Sequence, residues 1–263
     1  MYSARLSVPK LLLLLLALIA TASANAGLFS FGGDSWKEEV LLHDGQKIIV
    51  ERSQTYGGSH EIGQSSPVKE HTIRFKVPKS GNAIAWISEY GEDVGRTNFN
   101  ALALHLLGDT PYLIAEPNLC LSYNKWGRPN PPYVIFKHDG RAWQRIEMAD
   151  LPTAFEKINL IVNNGRIDHI KGATEGTGYV SASGVEKING SLSQPQYKSI
   201  AREAIENPAG RCGEMISDGQ GGWIGIGWFK KQSSREACLN FCVLEKIDAE
   251  HCPCKSIFQD KQP

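Results

Sequence analysis

Three carboxylates crowd one short turn, Glu89, Glu92 and Asp93 in the run EYGED. Paired carboxylates at the mouth of a β-fold serve glycoside hydrolysis, one as acid and the other as base or nucleophile, and the same donor set binds calcium. An ordinary solvated turn would carry them equally well. A second set is aromatic and cationic: Trp126, Arg128, Tyr133 and Trp143 lie in and around Arg128-Pro129-Asn130-Pro131-Pro132. Three prolines fix φ and remove backbone donors, so this loop is expected to be stiff and extended. It either holds its rings out as a binding platform or leaves them to pack into a core. His60-Glu61-Ile62-Gly63-Gln64 begins like a zinc-protease helix, but Gln64 stands where the second His belongs, and Gly63 disfavours the helix. The chain shows no nucleophile elbow, phosphate loop, EF-hand loop or dinucleotide fingerprint.

The cysteines carry the densest information. Cys120 stands alone, while Cys212, Cys238, Cys242, Cys252 and Cys254 fall in the last 52 residues. An even count in an exported chain argues for bridges. Ser234 to Lys246 reads as a helix, with Ser233 or Ser234 as N-cap and Glu236 in the first turn. Cys238 and Cys242 then share a face, and Cys252 and Cys254 follow after a short connection. Two bridges among these four leave Cys120 to pair with Cys212. The spacing lacks the paired CxxC knuckles of zinc ribbons, so no metal and no cofactor is expected.

The elements that must position these groups are mostly strands. Asp139-Gly140 separates Tyr133–Lys137 from Arg141–Ile146, and Asp44-Gly45 separates Glu39–Leu42 from Gln46–Arg52; both read as hairpins, the former with a two-residue turn. The two His-Asp-Gly turns set no repeat period, and His43 and His138 read as hairpin flanks. Phe99 to Leu107 reads as a short helix or a buried strand. About eight strands between residues 36 and 148 favour a sandwich or barrel-like antiparallel fold. Farther on, Ile158 to Val162 reads as a strand and Asn163-Asn164-Gly165 as a turn. Lys171 to Gly184 reads as a loop, Ser193 to Asn207 as a helix, and Gly221 to Phe229 as a strand with a glycine face. The expected fold class is mainly β (α+β): residues 27–150 an antiparallel β-rich domain, 151–210 a connection, and 211–263 a small helical, disulfide-tied C-terminal module.

Residues 1–26 read as a signal peptide. Arg5 and Lys10 precede an apolar run at Leu11–Ala20, and small residues place cleavage after Ala24 or Ala26. The run is shorter than a spanning helix needs, so no transmembrane helix is expected in the mature chain. Of the 263 residues 28 are basic and 28 acidic; without Arg5 and Lys10 the balance is slightly acidic, which gives no case for binding nucleic acid.

The blocks SWKEEVLLHDG from Ser35, CLSYNKWGRPNPPYVIFK from Cys120 and GWFKK from Gly227 resemble predicted exported proteins of Gram-negative bacteria that carry no assigned activity. The resemblance implies a periplasmic or secreted location and transfers no site residue. The expected function is therefore a non-enzymatic binding or structural component of the cell envelope, with an unknown envelope component as partner. A hydrolase acting on envelope polysaccharide or peptide, using Glu89, Glu92 and Asp93, is the alternative.

Overall fold

The computed structural model describes residues 33–58, 60–162, 167–174, 176–208, 210 and 212–258. The proposed signal peptide and the turn at 163–165 lie outside them. By contacts, everything from Asp34 onward forms one unit.

Two four-stranded antiparallel meanders build it. The first runs in the order β1 (Gly33–Leu41), β2 (Lys47–Tyr56), β3 (Val68–Lys76), β4 (Ala83–Ser88). A two-stranded hairpin, β5 (Tyr90–Gly91) and β6 (Arg96–Thr97), then leads into β7 (Phe99–Leu107), β8 (Thr110–Pro117), β9 (Val134–His138) and β10 (Trp143–Ile146). These last four form the second meander.

The two sheets differ in pattern for a physical reason. Along β2 exposed and buried residues alternate, as a strand with one wet face must. Val50, Ile73, Phe75 and Trp86 from this sheet meet Phe99, Leu104, Leu113 and Val134 from the other in one core, a sandwich interior. β7 and β8 show no alternation because both faces of their sheet are covered. Leu102, Tyr112, Ile114 and Ile135 on the far face pack under Leu151, Phe155 and Ile200. The second covering makes FNALALHLL a continuous apolar run, and it is a strand, not a helix.

That third layer departs from the sequence expectation. Ile158 to Val162 is not a strand. It runs along the open edge of β7, where the Asn159 amide accepts from Leu104 N at 2.8 Å and donates to Leu104 O at 2.8 Å, standing in for a backbone partner. The helix expected over Ser193–Asn207 is reduced to a 3-10 turn at Pro195–Tyr197. Its backbone groups are taken by outside partners. Tyr133 Oη donates to the Gln196 and Ser199 carbonyls and accepts from Ala201 N, Ile200 N bonds Glu156 O, and Asn130 exchanges two bonds with Ile205. A short amphipathic run held this way gains more from tertiary partners than from its own helix.

Three helices appear where none was expected. α1 (Leu119–Lys125) follows β8. α2 (Ile167–Ala173) and α3 (Ala182–Gly190) overlap the two ends of the stretch read as a loop, Lys171 to Gly184, whose described middle residues are mostly turns and bends. Ser181 caps α3 by accepting from Gly184 N, and Ile170, Val180 and Val185 close over Trp36 and Ile161. Beneath them lies a buried ion pair, Arg52 Nη1 to Glu38 Oε1 at 2.8 Å. Glu38 also accepts from Trp36 Nε1 and Ile161 N. Arg52 Nε and Nη2 have no hydrogen-bond partner among the described residues.

The C-terminal segment keeps a core of its own around Phe229, Ile247 and Phe258. The run from Trp223 is a strand only to Gly225 (β12, paired with β11 at Met215–Ser217), then becomes α4 (Ile226–Lys230). α5 (Arg235–Leu244) is capped by Ser234, which accepts from Ala237 N at 3.1 Å. Cys238 and Cys242 on its buried side pair with Cys254 and Cys252 around α6 (Cys254–Ile257). Cys120 pairs with Cys212. Among the described residues no helix is long and apolar enough to cross a membrane.

Candidate functional site

The residues singled out in the sequence take separate places. Tyr133 is buried at 5% exposure beneath the third layer, so it anchors that layer and presents no ring to solvent. Burial pushes its hydroxyl up to about 12. Trp126 and Trp143 pack on the sandwich core: Trp126 lies 4.6 Å from Phe99, and Trp143 Nε1 donates to Ala85 O at 2.7 Å. Arg128 donates to the Cys212 and Gly213 carbonyls and lies over Tyr123 at 5.0 Å, tying the proline loop to the C-terminal segment. Its backbone is left-handed, as is that of Gly127, because both residues turn the chain sharply out of α1. The Asp139-Gly140 hairpin has a four-residue loop, since β10 begins at Trp143 opposite His138. Asp139 N bonds Ala142 O, and only Gly140 of the two turn residues has positive φ.

Asp93 pairs with Lys125 at 2.7 Å, and its carbonyl accepts from Trp223 Nε1 at 2.9 Å. The acidic turn thus fastens the C-terminal segment to β5 and β6. Glu89 and Glu92 are exposed. His60 to Gln64 form no helix, and Gly63 has φ 89°.

The groups that do converge were not singled out. A cavity of about 870 Å³ opens between the end of β8 and the strap that runs from Leu192 to Cys212. The Cys120–Cys212 disulfide forms part of its wall, as do Pro117, Pro132, Pro195 and Pro208. Glu116 sits in this wall because β8 ends there, one residue before Pro117. Tyr197 Oη reaches both its oxygens, at 2.8 and 2.7 Å, and Asn100 Nδ2 donates to one at 3.5 Å and to Asn118 Oδ1 at 3.4 Å. Burial raises the Glu116 carboxyl to about 7, against the lowering effect of the Tyr197 and Asn100 hydrogen bonds. Burial and the neighbouring Glu116 raise the Tyr197 hydroxyl as well.

Arg96 also lines the cavity, half-buried on β6, and its side chain makes no hydrogen bond or ion pair with any described residue. His71 lines it too. Burial, then the charge of Arg52 behind it, hold that imidazole down at about 3 and therefore neutral. The cavity lining thus combines a guanidinium that has no ionic partner among the described residues with a carboxyl raised well above the usual range by burial. A second cavity of about 580 Å³ carries an ion pair on its wall, Lys47 bonding Glu39 at 3.0 Å.

One signal for this site was readable. Glu116 ends the run PYLIAE, where a carboxylate follows an apolar strand and precedes Pro117. Tyr197 lies 81 residues away, and nothing in the sequence brings it there. No family model matches this chain, and no curated protein or solved structure does either.

Proposed function

We propose that the protein is an exported, disulfide-stapled binding component of the cell envelope, whose ligand enters the cavity beside Glu116 and presents an anionic group to Arg96. The unpaired guanidinium of Arg96 in a roomy, proline-walled cavity carries this reading. A guanidinium with no ionic partner of its own selects carboxylate or phosphate by bidentate hydrogen bonding, while pockets of this size bury most of a small ligand against apolar walls. Binding is favoured over turnover because Glu116 has both oxygens engaged by Tyr197. A general acid or base needs a free oxygen within reach of the substrate. Three disulfides support export, since such bridges persist in oxidising compartments.

The test is ligand capture. Mature oxidised protein is incubated with low-molecular-mass extract of cell envelopes, re-isolated, denatured, and its retained compounds are identified by mass spectrometry. An acidic compound held by the native protein and absent from R96M, with both proteins unfolding at the same temperature, is the expected result. Retention unchanged by R96M would refute the site. Products that form with time and vanish in E116Q would make the protein an enzyme.

A further inference from the structure

Outside that cavity, two histidines meet around Phe155 of the third layer. His43 stands in the turn joining β1 to β2, and His105 near the end of β7. Their ring centroids are 6.2 Å apart with planes at 73°. Phe155 stacks on His105 at 4.8 Å and meets His43 edge-on at 4.9 Å, so packing fixes both rings. His105 is 1% exposed, and its Nε2 lies 2.9 Å from the Lys157 carbonyl. A carbonyl can only accept, so Nε2 carries the proton and Nδ1 presents a bare lone pair. That Nδ1 is sealed from solvent with no hydrogen-bond partner among the described residues, and so is Nδ1 of His43. Unpaired buried nitrogens on two adjacent rings require a physical explanation.

An imidazole whose far nitrogen donates to a backbone carbonyl is oriented as proteins orient metal ligands. With metal–nitrogen bonds of about 2 Å, two imidazoles on one ion have centroids about 5 Å apart at a tetrahedral angle and about 6 Å apart when linear. The separation of 6.2 Å lies at the linear limit. Among the described residues, no third His, Cys, Asp or Glu joins these two within ligating range. Zinc prefers four donors; monovalent copper is satisfied by two in line. All six cysteines are paired, so no thiolate competes for the ion.

We propose that His43 Nδ1 and His105 Nδ1 together bind one monovalent copper ion, although the sequence alone leads to the expectation of no metal. The ion clamps the β1–β2 turn to β7 and stands apart from the Glu116 cavity, which neither histidine lines.

The experiment titrates the mature, oxidised protein with Cu(I) under anaerobic conditions against a chromogenic copper chelator. One equivalent is expected to bind and to raise the unfolding temperature. H43Q and H105Q are each expected to weaken uptake by more than about tenfold and to abolish the thermal shift. Because His105 is buried and bonded, H43Q is the deciding variant, its copper-free unfolding temperature serving as the check on folding. H251N is expected to bind as the native protein does, although His251 lies in the cluster with Asp248 and Glu250. No stoichiometric uptake, uptake unchanged in folded H43Q, or uptake lost only in H251N would each overturn the proposal.

Discussion

Replacing Glu116 by Gln should reveal how strongly the cavity wall disfavours a charge. The carboxyl is raised from 4.5 to about 7. Its folded value lies above its unfolded one, so between about pH 4.5 and 7 the unfolded chain has released a proton that the folded chain keeps. The associated stability is therefore intact below about pH 4.5, falls through that window, and is absent above it. A shift from 4.5 to about 7 corresponds to about 3 kcal/mol. The buried histidines oppose it. His71 and His105 titrate at about 3 and about 4 when folded, below the unfolded value of 6.5, so their contribution grows as pH rises from those values to 6.5. The native curve alone mixes both trends, whereas the difference between native protein and E116Q isolates Glu116. Urea unfolding of both proteins at intervals from pH 4.5 to 8 should give equal stability at the acid end. The variant should be ahead by up to about 3 kcal/mol at the alkaline end. Parallel curves across the whole range would show that Glu116 titrates as in water, and the desolvated wall would be refuted.

Two further outcomes test the frame around the site. R52M leaves the Glu38 carboxylate buried without its cation and should destabilise the fold by about 3–5 kcal/mol, whereas R52M with E38Q should recover much of that loss; equal stability of R52M and native protein in urea would place Arg52 outside the core network. Alkylation of denatured, unreduced protein should label no cysteine, and the C120S/C212S pair should lower stability by about 4–5 kcal/mol for a loop of this length, read by the same urea unfolding.

The sequence made legible what depends on local patterns. Alternation along β2, turn chemistry at Asp44-Gly45, and Ser234 capping a helix with cysteines one turn apart all report on neighbours a few residues away. The missing parts depend on distant partners. Ile200 and Ala201 recur at helical spacing because they face the sheet, yet their backbone bonds go to Glu156 and Tyr133. Helix α3 was hidden because Gly, Ser and Thr dominate its approach, and its apolar partner Trp36 lies far upstream. Tyr133 was visible as an aromatic beside a stiff loop, but its burial was set by the strap lying over it. At the candidate site, Arg96 and Glu116 belong to unremarkable strand ends, and only the closure of the strap makes them one wall.

The Cys120–Cys212 bridge also rewrites the covalent outline of the molecule. Residues 120 to 212 form a ring, and the 242–252 loop is nested inside the 238–254 loop. A protease that cuts once inside the ring leaves one covalent piece, which migrates near the intact chain until a thiol reductant is added. A single cut between 213 and 237 instead detaches the C-terminal segment at once. The ring spans the proline loop, the second hairpin and the strap, so the walls of the cavity remain on a common tether after a nick that would divide an unbridged chain.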